Sequence, residues 1–399
     1  MTCSPDVNVW FDTSRLVRRQ VKGIVPTGID HVALAYLRHV QLYSGAVVHQ
    51  GPFTGFVPPP ASAQHFRAIT SGLGSGAAHR ARAALAMFSA LVVRQRGRQP
   101  MAGDILLHVT HSDLDDETYL QQWRARGLQP VIMLHDLIPL THPGFSRQGE
   151  PDRHRRRVRN ALQFASGLIF NSQDTRDTVA QHAEQWSLPM PHSVVLPLGT
   201  RKLPLPSHPA RPNPHRPTFL MVGTIEPRKN HQMVLDLWKQ LCSGGARPPR
   251  LVIIGRRGWN VQALTAELDR PHPSWAPHVV ERGACDDAEL SHWMSEATAL
   301  LMPSAVEGFG MPVAEALQAG LPVIANDLPV FKEVAGPVPD YIPAQDHAAW
   351  RQAILDYAQE GSERRRRQCE RMRSFRAPSW ADHFQGLDAF LRGIHHASR

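Results

Sequence analysis

The chain has 399 residues, 42% of them apolar and 20% charged, which excludes disordered and collagen-like proteins and calls for two folded units rather than one core. The net charge of +9 comes from 44 Lys plus Arg against 35 Asp plus Glu. Much of the excess lies in RHRRRVR, from Arg153 to Arg159, and in the run from Arg364 to Arg373, with no recognition-helix, zinc-finger or RNP-type signature beside either, so nucleic acid is not an expected partner.

Two readings of the basic runs stand side by side: solvated helix faces, or a surface that meets an anionic membrane. Cys3, Cys242, Cys285 and Cys369 form no CxxC pair and no zinc-ligand spacing. The amino terminus lacks a signal-peptide pattern, and no segment approaches ~18 uninterrupted apolar residues. A reduced, cytoplasmic chain is expected, peripheral on the inner face of the cytoplasmic membrane if the basic runs meet lipid.

In chain order the first half offers NVWFD (8–12), GDILLHV (103–109), PVIMLHD (130–136), GLIFNS (167–172) and SVVLPLG (193–199) as strands. Helix-like stretches such as HVALAYLRHV (31–40) lie between them. RKLPLPSHPARPNPHRP (201–217) is proline-rich without apolar periodicity, and so reads as a linker. Beyond it come TFLMVG (218–223), RLVIIG (250–255), HVVERG (278–283), ALLMPS (299–304) and PVIAN (322–326), each followed by a helix-like stretch. Continuous apolar runs ending in Gly or a small polar residue describe strands buried on both faces of a parallel sheet. Such sheets bind ligands at the carboxyl ends of their strands. The expected division is 1–200 for a first domain, 201–217 for a linker, 218–375 for a second domain, and 376–399 for a closing helix packed back toward the first.

EGFGMPVAE (307–315) follows a predicted strand, and Pro312 suits the first turn of a helix. Glu307 then lies in the loop and Glu315 on the helix. Gly308 and Gly310 permit close backbone approach, and the N–H groups of Phe309, Gly310 and Met311 would face an anion. A tight turn with a capping glutamate is the plainer alternative. GTIEPRKN (223–230) repeats the strand-to-helix context. Arg228 and Lys229 at a helix amino terminus oppose the helix dipole, and a bound diphosphate would offset that; an exposed basic turn is the plainer alternative.

With these motifs the chain resembles the retaining GT-B glycosyltransferases of family GT4, whose Glu-x7-Glu spacing Glu307 and Glu315 match. GTIEPRKN, IIGRRGW (253–259) and VEGFGMPVAEALQAGLPVIANDLPVFKEVAG (306–336) extend the match along the second half. The resemblance implies an α/β GT-B fold, two Rossmann-like domains facing each other across a cleft. It implies transfer of a hexosyl group, mannosyl in particular, from a nucleotide diphosphate sugar such as GDP-mannose to a glycan or lipid-linked glycan acceptor, with no cofactor and no metal. Arg228 and Lys229 would bind the donor diphosphate with Gly223, Thr224, Gly255, Arg256, Gly308, Phe309, Gly310 and Met311 around it. Glu307 would contact the transferred sugar, Glu315 the ribose, and Gly283 and Ala284 the base. Thr224 stands where several family members carry a further arginine.

In the first half, HDLIPL (135–140) resembles the family's amino-domain histidine loop, which makes His135 the catalytic or sugar-contacting candidate; a structural histidine is the alternative. PTGIDHVALAYL (26–37) resembles the loop-to-helix turn that faces diphosphate and acceptor, with Thr27, Gly28 and Ile29 at its tip; a helix start capped by Thr27 is the alternative. Three other functions remain in view. Asp113-Leu114-Asp115 could serve a metal-dependent GT-A transferase, although this stretch reads better as a helix start capped by Ser112 or Asp113. The others are a nucleotide-sugar epimerase of the same architecture and a non-enzymatic basic binding protein.

Overall fold

The computed structural model describes residues 7–24, 27–59, 61–70, 76–92, 97–205, 212–244 and 248–397. The chain divides into two compact units, one of Met1–Leu140, Gly149–Leu196 and Trp380–Arg399, the other of Thr141–Gln148 and Pro197–Ser379.

The first unit is built on a seven-stranded sheet in the order β3-β2-β1-β4-β5-β6-β7. Its strands are β1 (Val9–Asp12), β2 (Gly45–Gln50), β3 (Phe53–Val57), β4 (Ile105–His108), β5 (Gln129–Leu134), β6 (Gly167–Phe170) and β7 (His192–Val195). All neighbours are parallel except β2 and β3. That pair is a hairpin absent from the expected strands. Gln50 pairs with Phe53 across Gly51-Pro52, and Gly51 adopts a left-handed φ of 57°, a conformation glycine tolerates at such turns.

The second unit has a six-stranded sheet, β10-β9-β8-β11-β12-β13. Its strands are β8 (Thr218–Val222), β9 (Arg250–Ile254), β10 (Val279–Gly283), β11 (Ala299–Met302), β12 (Val323–Ala325) and the two-residue β13 (Asp340–Tyr341), all parallel. Successive residues of β8, β9, β11 and β12 enter different cores. Phe219, Met221, Leu251 and Ile253 join one cluster around Trp238 and Trp350, while Leu220, Val252, Ile254 and Leu300 join another around Phe331 and Val313. Both faces of the sheet are therefore dry, which is why these strands read as unbroken apolar runs.

Two segments sit apart from the expected division. Trp259 Nε1 donates to the Phe145 carbonyl at 2.8 Å, and the Arg147 guanidinium lies 5.0 Å from the Trp259 ring centre, so 141–148 belongs to the second unit. The start of the expected linker also packs there: Ser291 Oγ donates to the Pro204 carbonyl at 2.6 Å, and Leu203 lies against the apolar cluster. Residues 206–211 of that linker lie outside the described residues. The closing helix spans Trp380–Ala397 and belongs to the first unit. There His383 Nε2 and the Tyr36 hydroxyl are 2.7 Å apart, and His39 pairs with Asp388 at 2.9 Å.

At the carboxyl edge of the second sheet the backbone is crowded. A Cβ on Gly255 would stand 1.8 Å from the Gly223 carbonyl oxygen, a clash that only main-chain movement relieves. Gly255→Ala should therefore destabilise the second unit by about 1–3 kcal/mol or more, read as a lowered urea midpoint; an unchanged midpoint would show that this edge yields freely.

Candidate functional site in the second unit

Strands β8, β9 and β10 end side by side on Gly223, Gly255 and Gly283. Gly223 N–H donates to the Ile254 carbonyl at 2.9 Å and Gly255 N–H to the Gly283 carbonyl at 2.7 Å. Gly223 has φ +138° and Gly283 φ +66°, values that favour glycine. Thr224, Arg256 and Ala284 are exposed just beyond this ledge.

From β8 the chain enters a 3-10 turn, Pro227–Lys229. From the adjacent β11 it runs through the loop to Gly310, which caps the helix Met311–Gln318 with φ 92° and ψ 42°. A Cβ on Gly310 would stand 2.6 Å from the Phe331 ring. Pro312 lies in the first turn of this helix, where its missing N–H costs nothing. Because β8 and β11 are neighbours, their loops touch: Ala305 N–H donates to the Arg228 carbonyl at 2.7 Å.

That contact brings opposite charges together out of water. Arg228 Nη1 donates to Glu307 Oε2 at 2.6 Å and to the Val306 carbonyl at 3.1 Å, its Nη2 meets Glu226 at 2.6 Å, and Lys229 Nζ donates to Glu307 Oε1. Lys229 and Glu307 are only 8% exposed. Burial pushes the Glu307 carboxyl up, but Arg228 and Lys229 outweigh it and hold the group down at about 2. Burial draws the Lys229 ammonium below its usual range, with Glu307 opposing. Burial raises the Glu226 carboxyl against the pull of Arg228 and Lys229. The charge that offsets Arg228 and Lys229 is thus supplied by Glu307 and Glu226, where the sequence reading assigned it to a bound diphosphate. Glu226 went unassigned there although it stands within GTIEPRKN.

Glu315 lies on the core side of its helix, 7% exposed, and Arg201 Nε comes to 3.3 Å from its Oε1. Phe309 is buried, while Gly308 and Met311 are half-buried at the helix entry.

The first-unit candidates are held by local contacts. Thr27 caps the helix Gly28–Val40, and its N–H and hydroxyl each donate to Asp30 Oδ2 at 2.7 Å. Asp30 is buried and pairs with Arg15 at 2.7 Å and Arg19 at 2.9 Å. Gly28 is exposed and Ile29 half-buried at the same turn. His135 directly follows β5 but is 4% exposed. Its Nε2 lies 2.9 Å from the Val109 carbonyl, its N–H donates to His111 Nε2 at 3.2 Å, and its ring is 5.2 Å from that of His111, which stacks edge-on against His154 as well. Burial lowers the pKa of all three histidines. His111 and His154 escaped the sequence reading, because nothing in a lone histidine signals its neighbours.

Asp113 forms a two-point pair with Arg18 at 3.0 and 2.5 Å, and Asp115 pairs with Arg153 at 2.8 Å. The helix cap expected at Ser112 or Asp113 falls instead at Asp116, whose carboxylate accepts from Thr118 N–H at 3.0 Å at the start of Glu117–Ala125. Asp113, at φ 62°, sits in the turn before it.

Residues 208–374 match the family model for glycosyl transferases group 1. A solved sucrose-phosphate synthase from Thermosynechococcus elongatus superposes with a TM-score of 0.62 over 98% of this chain and 100% of that one, at 16% identity. The fold is GT-B, and the match to glycosyl transferases group 1 lies in its second unit. Among curated proteins, the chain is similar to the serotype-specific mannosyltransferase WbdA of Escherichia coli, 33% identical over 233 residues, which cover 55% of this chain and 28% of WbdA. It is also similar to the O-antigen chain mannosyltransferase B of Escherichia coli, 25% identical over 215 residues, 52% of this chain and 55% of that protein. The chain thus spans roughly a quarter of the first relative and half of the second.

The ion-pair cluster makes stability depend on acid. A carboxyl held below its ordinary 4.5 at about 2 stabilises the fold above pH 4.5, and that contribution is lost as pH falls from 4.5 toward 2. Glu307→Gln strands Lys229 and should cost about 3–5 kcal/mol at neutral pH while flattening the acid limb of a Tm-against-pH curve; an unaltered limb would locate the acid sensitivity elsewhere.

Proposed function

We propose that the chain is a retaining, metal-independent glycosyltransferase that moves a mannosyl group from GDP-mannose to a glycan or lipid-linked glycan acceptor in bacterial polysaccharide synthesis. The cluster of Glu307, Arg228 and Lys229 at the carboxyl edge of β8 and β11 carries this reading. The mannosyltransferase relatives support the sugar, and the O-antigen relative supports the pathway class.

A nucleoside diphosphate would bring two negative charges to Arg228 and Lys229 and compete with Glu307 for them. Glu307, released in part, would then face the sugar hydroxyls and stabilise positive charge growing at the anomeric carbon. As the bond from that carbon to the phosphate oxygen breaks, the cations and the Gly310–Met311 helix entry stabilise the departing diphosphate. In a front-face course the acceptor oxygen bonds to the same face of the carbon, and its proton passes to the leaving phosphate. The residues assigned to donor binding, including Thr224, Arg256, Gly283 and Ala284, keep the roles the family resemblance implies, as do His135 and the Thr27–Ile29 turn toward the acceptor.

The proposed setting is the cytoplasm at the inner membrane face. No helix among the described residues is long and apolar enough to cross a membrane. Much of the basic charge is already paired: Arg157 with Glu150, Arg364 and Arg371 with Asp340, and Arg366 and Arg367 with Glu363. An anionic surface would meet the exposed Arg155, paired with Asp152 at 3.1 Å, and the exposed Arg156 and Arg373. Sedimentation with phosphatidylglycerol vesicles should be weak and abolished by about 0.5 M salt; salt-insensitive pelleting would contradict an electrostatic contact.

The transferase reading is tested by incubating the full chain with radiolabelled GDP-mannose and a glycolipid extract in EDTA. Labelled α-mannoside is expected. Epimerised nucleotide sugar, or transfer that needs added manganese, would overturn it. Glu307→Gln should lower kcat by at least about 100-fold, as lost transition-state charge stabilisation does, whereas Glu315→Gln should act mainly on the donor KM.

A further inference from the structure

Arg201 stands within the proline-rich stretch that the sequence offered as a linker, and no motif marks it. In the structure its backbone is held on the second unit from both sides. Thr200 N–H donates to the Pro378 carbonyl at 2.8 Å, and Ser291 Oγ donates to the Pro204 carbonyl at 2.6 Å. Between those anchors the Arg201 side chain reaches two elements at once. Its Nη1 donates to Asp287 Oδ1 at 2.6 Å, and its Nε lies 3.3 Å from Glu315 Oε1.

Those two carboxylates belong to different walls of the proposed donor site. Glu315 is the carboxylate on Met311–Gln318 assigned to the ribose. Asp287 opens the helix Asp287–Glu296, directly after the loop of Gly283 and Ala284 assigned to the base. A guanidinium is planar and carries five N–H donors in a fixed fork, so one side chain can fix the spacing between both walls. We propose that Arg201 is a positioning residue of the donor site, tying the ribose carboxylate Glu315 to the base loop through Asp287. This rests on the donor-site reading above.

The electrostatics point the same way. Burial raises the Glu315 carboxyl, Asp287 raises it further, and Arg201 is the cation that opposes both. Without Arg201, Glu315 moves toward its protonated form, a weaker acceptor for ribose hydroxyls than the carboxylate. Arg201 therefore favours the ionised form of Glu315, the form that accepts from ribose hydroxyls.

The test compares binding of GDP and of 2′,3′-dideoxy-GDP to the full chain between pH 6 and 8.5 by calorimetry. The wild type should prefer GDP by about tenfold or more, the scale of one charge-assisted hydrogen bond, at every pH in that range. Arg201→Ala and Arg201→Gln should lose most of that preference, more toward the acid end of the range than the alkaline end, while Arg201→Lys, which keeps the charge, keeps more of it. Arg201 is part-exposed on an irregular segment, and a thermal melt verifies that each variant folds. If both variants fold, bind GDP and keep the wild-type preference and pH profile, Arg201 has no positioning role and the proposal falls while the donor reading stands. If the wild type does not bind GDP, the donor reading falls and takes this proposal with it.

Discussion

One carboxylate, Glu307, holds two cations in a place almost closed to water. Its position follows from strand order. In the second sheet β8 is followed by β9 and β10 on one side, and β11 to β13 continue on the other. The chain crosses to opposite sides of the sheet after β8 and after β11, and the point where strand order reverses is where open parallel sheets take ligands. The 3-10 turn supplies Arg228 and Lys229 from one lip, and the loop before Met311 supplies Glu307 from the other.

Burying such a triad is expensive unless every charge has a partner, and here the partners are shared. Glu226 takes the far side of Arg228, and the Val306 carbonyl takes another of its donors. The result is a site whose two cations are already present and paired with carboxylates; in the proposed function an incoming phosphate would take the place of some of those carboxylate partners. Glu315 lies on the helix that follows and answers to a different cation, Arg201, so the two glutamates of the motif are electrostatically separate.

The sequence was most legible where physics leaves one choice. Strands β8, β9, β11 and β12 are buried on both faces and read as continuous apolar runs, and Pro312 and the two glycines marked the helix entry of the site. The hairpin of β2 and β3 was illegible because glycine, proline and polar residues interrupt its apolar pattern, and two-residue β13 is too short to show a period. Within the site, spacing gave Glu307, Glu315, Arg228 and Lys229, but pairing is a property of neighbouring strands and cannot be read from spacing. Arg201, His111 and His154 belong to that second kind of information. The Thr27 turn shows the opposite limit: its local capping chemistry was legible, while the Arg15 and Arg19 partners of Asp30 were not.

The way the chain is shared between its two units bears on how proteins of this kind can be recombined. A donor half cut out at the proline-rich stretch would lose Phe145 and Arg147, which sit on Trp259, and a cut beyond Arg201 would also remove the cation beside Glu315. An acceptor half ended there would lack Trp380–Ala397 and leave Tyr36 without His383. Exchange of halves between relatives is therefore a graft of two segments, 141–148 and 197–379, among three, and a chimera joined at a single junction carries unfilled surface on both sides of the splice.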